Sequence, residues 1–434
     1  MTTPPEIRER AAELMQRCEV LARYSETEGE LTRTYLSAPM HGVHREIEGW
    51  LEPTPTTTRV DASGNFLGRY PGTHPDAPVL LIGSHLDTVR NAGKYDGTLG
   101  VLIGVAVIET LAAQQRRLPF AVEVVGFSEE EGVRYGTPFL GSRALTGQFD
   151  PALLELRDDD GVTMAEAIRA FGQNPDEILD AAYLRRDVLG YLEVHNEQGP
   201  RLVAADRPVG VASAIAGQSR AVLTFRGEAG HAGTVPVALR KDALVGAAHF
   251  VVACETLALE FDELFATVGR LEPSPGAINV IPGEATLTLD LRHARDDVRD
   301  GAWRTLQRRA RAIADARGLS LTWRDLGYQP ATSLHPHLTD WLTPTPDIQT
   351  PDTPILVSGA GHDAMVMAPF TPSALLFVRS PNAVSHNPAE TVLEEDVAAA
   401  LDTVLRFIDR LEAEHGPQTD AAHNTGANRG VGRV

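Results

Sequence analysis

Between Val79 and Phe127 the chain passes from a short apolar run, VLLIG, through a long small-residue stretch, GTLGVLIGVAVIETLAAQQRR, into a second apolar run, AVEVVGF. Short uninterrupted apolar runs bounded by turn residues predict strands buried on both faces, and the intervening stretch has helical length, so the order predicts a βαβ unit. Three further runs, YLEV at 191–194, PILVSG at 354–359 and ALLFV at 374–378, continue the same pattern. An α/β sheet covered by helices follows.

From about Arg220 the pattern changes. The order becomes strand (RAVLTFR), helix (ALRKDALVGAAHFVVACETLAL), strand (FATVGRLE), strand (EATLTLDLR), helix (DVRDGAWRTLQRRARAIADARG) and strand (LSLTWRDL). This β-α-β-β-α-β order is a split βαβ arrangement, long enough for a domain inserted into the first one. The strands at 220–226 and 285–292 alternate apolar and polar residues, which predicts a sheet with one covered and one open face. The domain expectation is a catalytic domain at 1–212, an inserted domain at 213–328, the rest of the catalytic domain at 329–415 and a disordered tail at 416–434, where GPQTDAAHNTGANRGVGRV shows no periodicity.

Composition narrows the function classes. A chain of 434 residues exceeds what one core usually supports, and 43% hydrophobic with 23% charged content is ordinary for a globular protein. The balance of 39 basic and 59 acidic residues, a net charge of −20, repels phosphate backbones and anionic membranes. Neither nucleic acid nor a membrane is expected as a partner, and an anionic substrate needs local positive charge. Cys18 and Cys254 are too few for a disulfide framework. The N-terminal stretch predicts an amphipathic helix with a Pro-containing start, without the features of a signal peptide, and no apolar run reaches membrane-spanning length. A cytoplasmic location is the expectation.

The candidate chemistry lies where predicted strands end. Ligands of open α/β sheets bind outside the carboxyl ends of the strands. VLLIG runs into Ser84-His85-Leu86-Asp87, AVEVVGF into Ser128-Glu129-Glu130-Glu131-Gly132, and YLEV into His195-Asn196-Glu197-Gln198. Singly, such a His is more often a capping residue and such a Glu run a solvated loop. Three strand ends offering imidazole and carboxylate together predict a metal site, with Zn²⁺, Mn²⁺, Co²⁺ or Ni²⁺ compatible with that donor set. Asp87 is placed to orient the His85 ring. Asp96, just before the helix, is placed to bridge two ions. Of the adjacent Glu130 and Glu131, one can bind metal while the other acts as general base.

These residues resemble the amidase (hydantoinase/carbamoylase) branch of the zinc aminopeptidase-like superfamily, which contains N-carbamoyl-L-amino acid hydrolases, allantoate amidohydrolases, ureidoglycolate-type hydrolases and β-ureidopropionases. The resemblance rests on GSHLDTVRNAGKYDGTLGV, SEEEGVRYGTPFLGSRALTG, LEVHNEQGP, GHAGTVP, GAINVIPGEATLTLDLR, GAGHDA and SHNPAE, which run in family order from about residue 80 to 390. It implies a di-metal catalytic domain with a central mixed sheet and an inserted ferredoxin-like lid and dimerisation domain, hence a homodimer. It implies two divalent ions per subunit held by His85, Asp96, Glu131, His195 and His386, with Asp96 bridging and Glu130 as base. A shift of one residue in the Glu run would instead make Glu129 the base and Glu130 the ligand. It further implies that Arg292 binds a substrate carboxylate, that His231 stabilises the oxyanion, and that Asn279, Gln198 and His362 contact the substrate.

The chain departs from the family pattern at Asn196, usually Ile, at Gly230, usually Asn, and at Val237, usually Met. None of these removes a ligand. The activity implied is hydrolysis of a carbamoyl or ureido C–N bond on an L-amino-acid-like substrate, N-carbamoyl-L-amino acid or allantoate, releasing ammonia and carbon dioxide. The alternative is a dipeptidase or N-acyl-amino acid deacylase of the same superfamily. A catalytically silent binding protein is a third reading, disfavoured because every implied ligand and the base are present.

Overall fold

In the computed structural model, which describes residues 4–343 and 353–415, two separate sheets share nearly all the strands. The stretch expected to be a disordered tail, 416–434, lies outside the described residues. In chain order the strands are β1 (Thr57–Val60), β2 (Phe66–Tyr70), β3 (Val79–His85), β4 (Ala121–Phe127), β5 (Val188–Asn196) and β6 (Val209–Ile215). Then come β7 (Gly217–Arg226), β8 (Gly230–His231), β9 (Phe265–Thr267), β10 (Leu271–Ser274), β11 (Val280–Ile281), β12 (Glu284–His293) and β13 (Ser320–Gln329). The last three are β14 (Thr332–Ser333), β15 (Ile355–Ser358) and β16 (Ser373–Val378).

The larger sheet has the order β1-β2-β4-β3-β5-β16-β6-β14, with β15 also on β6. Its middle is parallel, because β3 pairs with β4 and β5 in that sense and β16 does so with β5. Its flanks are antiparallel, so the sheet is mixed. Leu80, Ile82, Val122, Val124, Leu192 and Val194 enter one core, while Val79, Leu81, Val125, Phe127 and Tyr191 enter another. Alternate residues therefore serve opposite faces, and this is why the central strands read as uninterrupted apolar runs. Helix α1 (Pro5–Leu21), helix α2 (Thr98–Ala113) and helix α3 (Glu394–His415) cover the first face. Helix α2 is apolar nearly all round because it is buried over most of its length.

The second sheet is antiparallel, in the order β10-β12-β7-β13 with β9 also on β12. Its helices, Ala243–Ala258 and Asp296–Ala316, share a core with Ala221, Leu223, Phe225, Leu287, Leu289 and Leu291. The opposite face is polar, with Arg226 across from Glu284, Thr224 across from Thr286 and Arg220 across from Asp290, each pair joined by side-chain contacts. Such cross-strand pairs contribute roughly 0.2–1 kcal/mol each. The chain enters this unit after Ile215 and leaves it before Thr332, where each neighbouring strand returns to the larger sheet.

Two strand expectations change in the structure. FATVGRLE forms two short strands rather than one, and both lie on the exposed edge beside β12. PILVSG forms β15, but Ile355 is exposed, since this strand pairs only with β6 at a margin of the sheet. An apolar run marks a strand without fixing its depth.

Candidate metal centre

The parallel strands β3, β4 and β5 end side by side, which brings His85, the Glu129–Glu131 segment and His195 to one rim. His85 and His195 are buried, and their Nε2 atoms stand 3.4 Å apart. Each ring has its Nδ1 against a carbonyl oxygen, Asp87 O at 3.0 Å for His85 and Asn196 O at 2.9 Å for His195. A carbonyl only accepts, so Nδ1 carries a proton in both rings and each Nε2 is the ring atom turned to the centre.

Asp96 is the hub. Its Oδ1 lies 3.1 Å from His195 Nε2 and 3.8 Å from His85 Nε2, and its Oδ2 lies 3.4 Å from His386 Nε2. The chain reaches this position through Gly97, at φ 64°, where an added Cβ would lie 2.5 Å from the His85 ring. Only glycine allows both the backbone angle and that approach. Gln198 Nε2 donates to both Asp96 oxygens at 3.2 Å, and Ser385 Oγ donates to Oδ2 at 3.3 Å.

The Glu segment is held by Asp87. Its Oδ1 accepts from the Glu130 N–H at 3.0 Å and its Oδ2 from the Glu131 N–H at 3.1 Å. Asp87 thus touches the His85 ring on one side and fixes the Glu130–Glu131 backbone on the other. Glu131 Oε1 lies 3.4 Å from His386 Nε2. Among the described residues three groups have ligand atoms within 4.8 Å of one another: His85 with Asp96 and His195, His85 with Glu130 and Glu131, and Asp96 with Glu131 and His386. Glu129 is in none of them, and its Oε1 instead accepts from the Arg134 N–H.

Electrostatics fit a cation here. Burial pushes Glu130 well above the usual carboxylate range and Glu131 up to about 7. For Asp96 burial acts in the same direction, but His195, His85 and His386 outweigh it and hold this carboxyl below that range. Among the described residues no Lys or Arg pairs with Asp96, Glu130 or Glu131, whose ion-pair partners are all histidines. Buried carboxylates gathered around the Nε2 atoms of three histidines, with no Lys or Arg among the described residues paired to them, match the ligand chemistry of divalent ions. Gln198 and His386 both have positive φ, 59° and 54°. Such non-glycine strain, of order 1–3 kcal/mol, concentrates where side chains must be aimed.

The residues expected on the substrate side divide into two sets. His362 is buried, packs edge-on against the His195 ring at 4.6 Å and contacts Ser358 Oγ through Nε2. Burial holds its imidazole well below the ordinary range, so it is neutral. Arg292, on the open face of the second sheet, donates to the Gly359 carbonyl at 2.7 Å and pairs with Asp290 at 2.8 Å. Its guanidinium therefore reaches the GAGHDA loop. His231 and Asn279 lie together on the β8–β11 ribbon, where the Ala232 N–H donates to the Asn279 carbonyl, but both are exposed and neither bonds to the centre.

Sequence reading misses several residues that hold this site. Glu193 accepts from Ser84 Oγ at 3.0 Å and from the Ala364 N–H at 2.8 Å, joining the segments that carry His85, His195 and His362. Ser385 and the Asn196–Glu390 contact are likewise missed. Glu193 is disguised as one polar residue in an apolar strand, and its only signal is a charge at a doubly buried position.

Known proteins resemble this chain along most of its length. The pattern of peptidase family M20/M25/M40 matches residues 81–410. The chain is 37% identical over 429 residues to allantoate deiminase of Arabidopsis thaliana, covering 92% of this chain and 82% of that one. It is 38% identical over 384 residues to N-carbamoyl-L-amino acid amidohydrolase of Geobacillus stearothermophilus, covering 88% and 94%. Among solved structures, an amidase of the hydantoinase/carbamoylase family from Burkholderia multivorans superposes with a TM-score of 0.85 at 30% identity, covering 92% of this chain and 97% of that one. Matched along most of its length by both sequence and fold, the chain belongs to peptidase family M20/M25/M40, in its hydantoinase/carbamoylase amidase branch.

Proposed function

We propose that this protein is a metal-dependent amidohydrolase that cleaves the C–N bond of a carbamoyl or ureido group on a small L-amino-acid-like substrate, an N-carbamoyl-L-amino acid or allantoate. The observation that carries the reading is the convergence of His85, His195 and His386 on the Asp96 carboxylate, beside Glu130 and Glu131. Two relatives with this family's fold are named for allantoate and N-carbamoyl-L-amino acids. In this reading His85, Asp96, Glu131, His195 and His386 are the ligands. Two divalent ions held there, Zn²⁺ or one of Mn²⁺, Co²⁺ and Ni²⁺, would supply Lewis-acid polarisation and lower the pKa of a water.

The chain's own residues do the rest. Glu130 takes a proton from the attacking water and returns it to the leaving nitrogen. Arg292 receives the substrate carboxylate in its planar fork, exchanging its Asp290 partner for the ligand. Gln198 holds Asp96 in place, and neutral His362 flanks the substrate beside His195. One water and one ureido group yield the free amine, carbon dioxide and ammonia.

The second sheet and its helices, between Ile215 and Thr332, form the lid and dimerisation domain. His231 and Asn279 are exposed, so their contact with substrate requires lid closure or a second copy of the chain. The homodimer reading is supported by apolar side chains left in solvent on this unit, Val252, Leu259 and Ile278 among them, and by the uncovered β9–β10 edge. Sedimentation equilibrium at micromolar concentration is expected to give twice the chain mass; a single-chain mass would remove the dimer.

The activity test is ammonia release by protein reloaded with Zn²⁺, Mn²⁺ or Co²⁺, across N-carbamoyl-L- and D-amino acids, β-ureidopropionate and allantoate, with chelator controls. N-acetyl-amino acids and dipeptides are scored by free amine. Chelator-sensitive turnover of a ureido compound is expected. In the same assay Arg292→Ala raises KM by about 10-fold or more, because a charge-assisted bidentate contact contributes roughly 1.5–3 kcal/mol. Turnover confined to dipeptides or acyl-amino acids would overturn the assignment.

A further inference from the structure

Behind the centre, Glu390 occupies a position that its role as a residue of SHNPAE does not by itself explain. The side chain is 3% exposed, and its Oε1 accepts a hydrogen bond from the amide of Asn196, which is fully buried. Its Oε2 is buried and accepts no hydrogen bond among the described residues. Its Oε2 sits over Gly93, where an added Cβ would lie 1.7 Å away. The Glu390 N–H donates to the Asn387 carbonyl at 2.9 Å, closing the turn that follows His386.

One carboxyl group therefore stands where three segments meet: the Gly93–Asp96 turn, the end of β5 just past His195, and the loop that presents His386. Asn196 itself supplies the carbonyl that fixes the His195 ring. We propose that Asn196 and Glu390 are positioning residues that act as one brace, holding Asp96, His195 and His386 in register for metal binding. The inference rests on the metal-centre reading given above.

Partners that orient ligands without touching the ion typically change metal affinity by about 10–100-fold when removed. The brace is tested by measuring Zn²⁺ dissociation constants by competition with a chromophoric chelator, together with thermal unfolding of the metal-free protein. Asn196→Ala and Glu390→Ala are each expected to weaken Zn²⁺ binding by about 10–100-fold, while Glu390→Gln, which keeps an acceptor for the Asn196 amide, stays within about threefold of wild type. The double variant Asn196→Ala/Glu390→Ala is expected to be no weaker than Glu390→Ala alone, because both changes break the same contact.

A merely structural role would lower the unfolding temperature of the metal-free protein and leave the dissociation constants unchanged, and that result overturns the proposal. Full additivity of the two single effects also overturns it. Asp96→Ala, measured in parallel, separates the two readings. If it binds Zn²⁺ like the wild type, the metal centre itself is misplaced; if it loses Zn²⁺ while Asn196→Ala and Glu390→Gln both bind normally and Glu390→Ala does too, only the brace fails.

Discussion

Glu130→Gln is expected to keep its metal and lose turnover by about 10²–10⁴-fold, the range a positioned general base contributes. The substitution preserves side-chain volume, and the contact that fixes the loop is made by the Glu130 backbone N–H to Asp87 Oδ1, which the change leaves alone. What disappears is the capacity to accept a proton. Glu130 is buried beside His85 and Glu131, at the rim where the attacking water would be held. The measurement is kcat for ammonia release together with metal content by atomic emission on the same sample. Metal loss equal to that of a ligand variant would reverse the assignment of Glu130 and Glu131.

Asp96→Ala has the opposite signature. Both oxygens of this carboxylate face imidazole nitrogens, with His85 and His195 at Oδ1 and His386 at Oδ2, so it joins the group of His85 and His195 to that of Glu131 and His386. Removing it takes away an anionic group that would offset bound cations, and it deprives Gln198 and Ser385 of their acceptor. Metal content after dialysis is expected to fall well below that of wild type, with turnover at the uncatalysed background. Retention of metal at the wild-type level would show that Asp96 is not a ligand. Read together, the two variants distinguish a residue that binds metal from one that moves protons, since loss of activity alone is common to both.

The strand-end chemistry is legible in the sequence because parallel strands impose it. Uninterrupted apolar runs mark β3, β4 and β5 as buried on both faces, and the residue following each run must emerge at the same edge of the sheet. His85, Glu130, Glu131 and His195 follow from that rule with no knowledge of the tertiary structure. The alternation in β7 and β12 likewise announces a sheet with one covered face, since a period of two puts every second side chain on the same side. The resemblance to the amidase family adds His386 and Arg292, which no local pattern identifies.

Other features depend on the folded chain. His386 comes from a loop at positive φ, far along the chain from Asp96, and its approach is fixed by packing rather than by periodicity. The depth of a strand also depends on its neighbours, so PILVSG and FATVGRLE end at margins although their composition resembles that of central strands. The carboxylates that support the ligands, Asp87, Glu193 and Glu390, each join segments distant in sequence. Short-range hydrophobic pattern determines which strands form and which way their side chains point, because both follow from local backbone geometry. The meeting of Asp96 with three histidines, and of Glu390 with Asn196, is decided only when long-range contacts bring those segments together, and one residue's neighbours in sequence carry no record of that meeting.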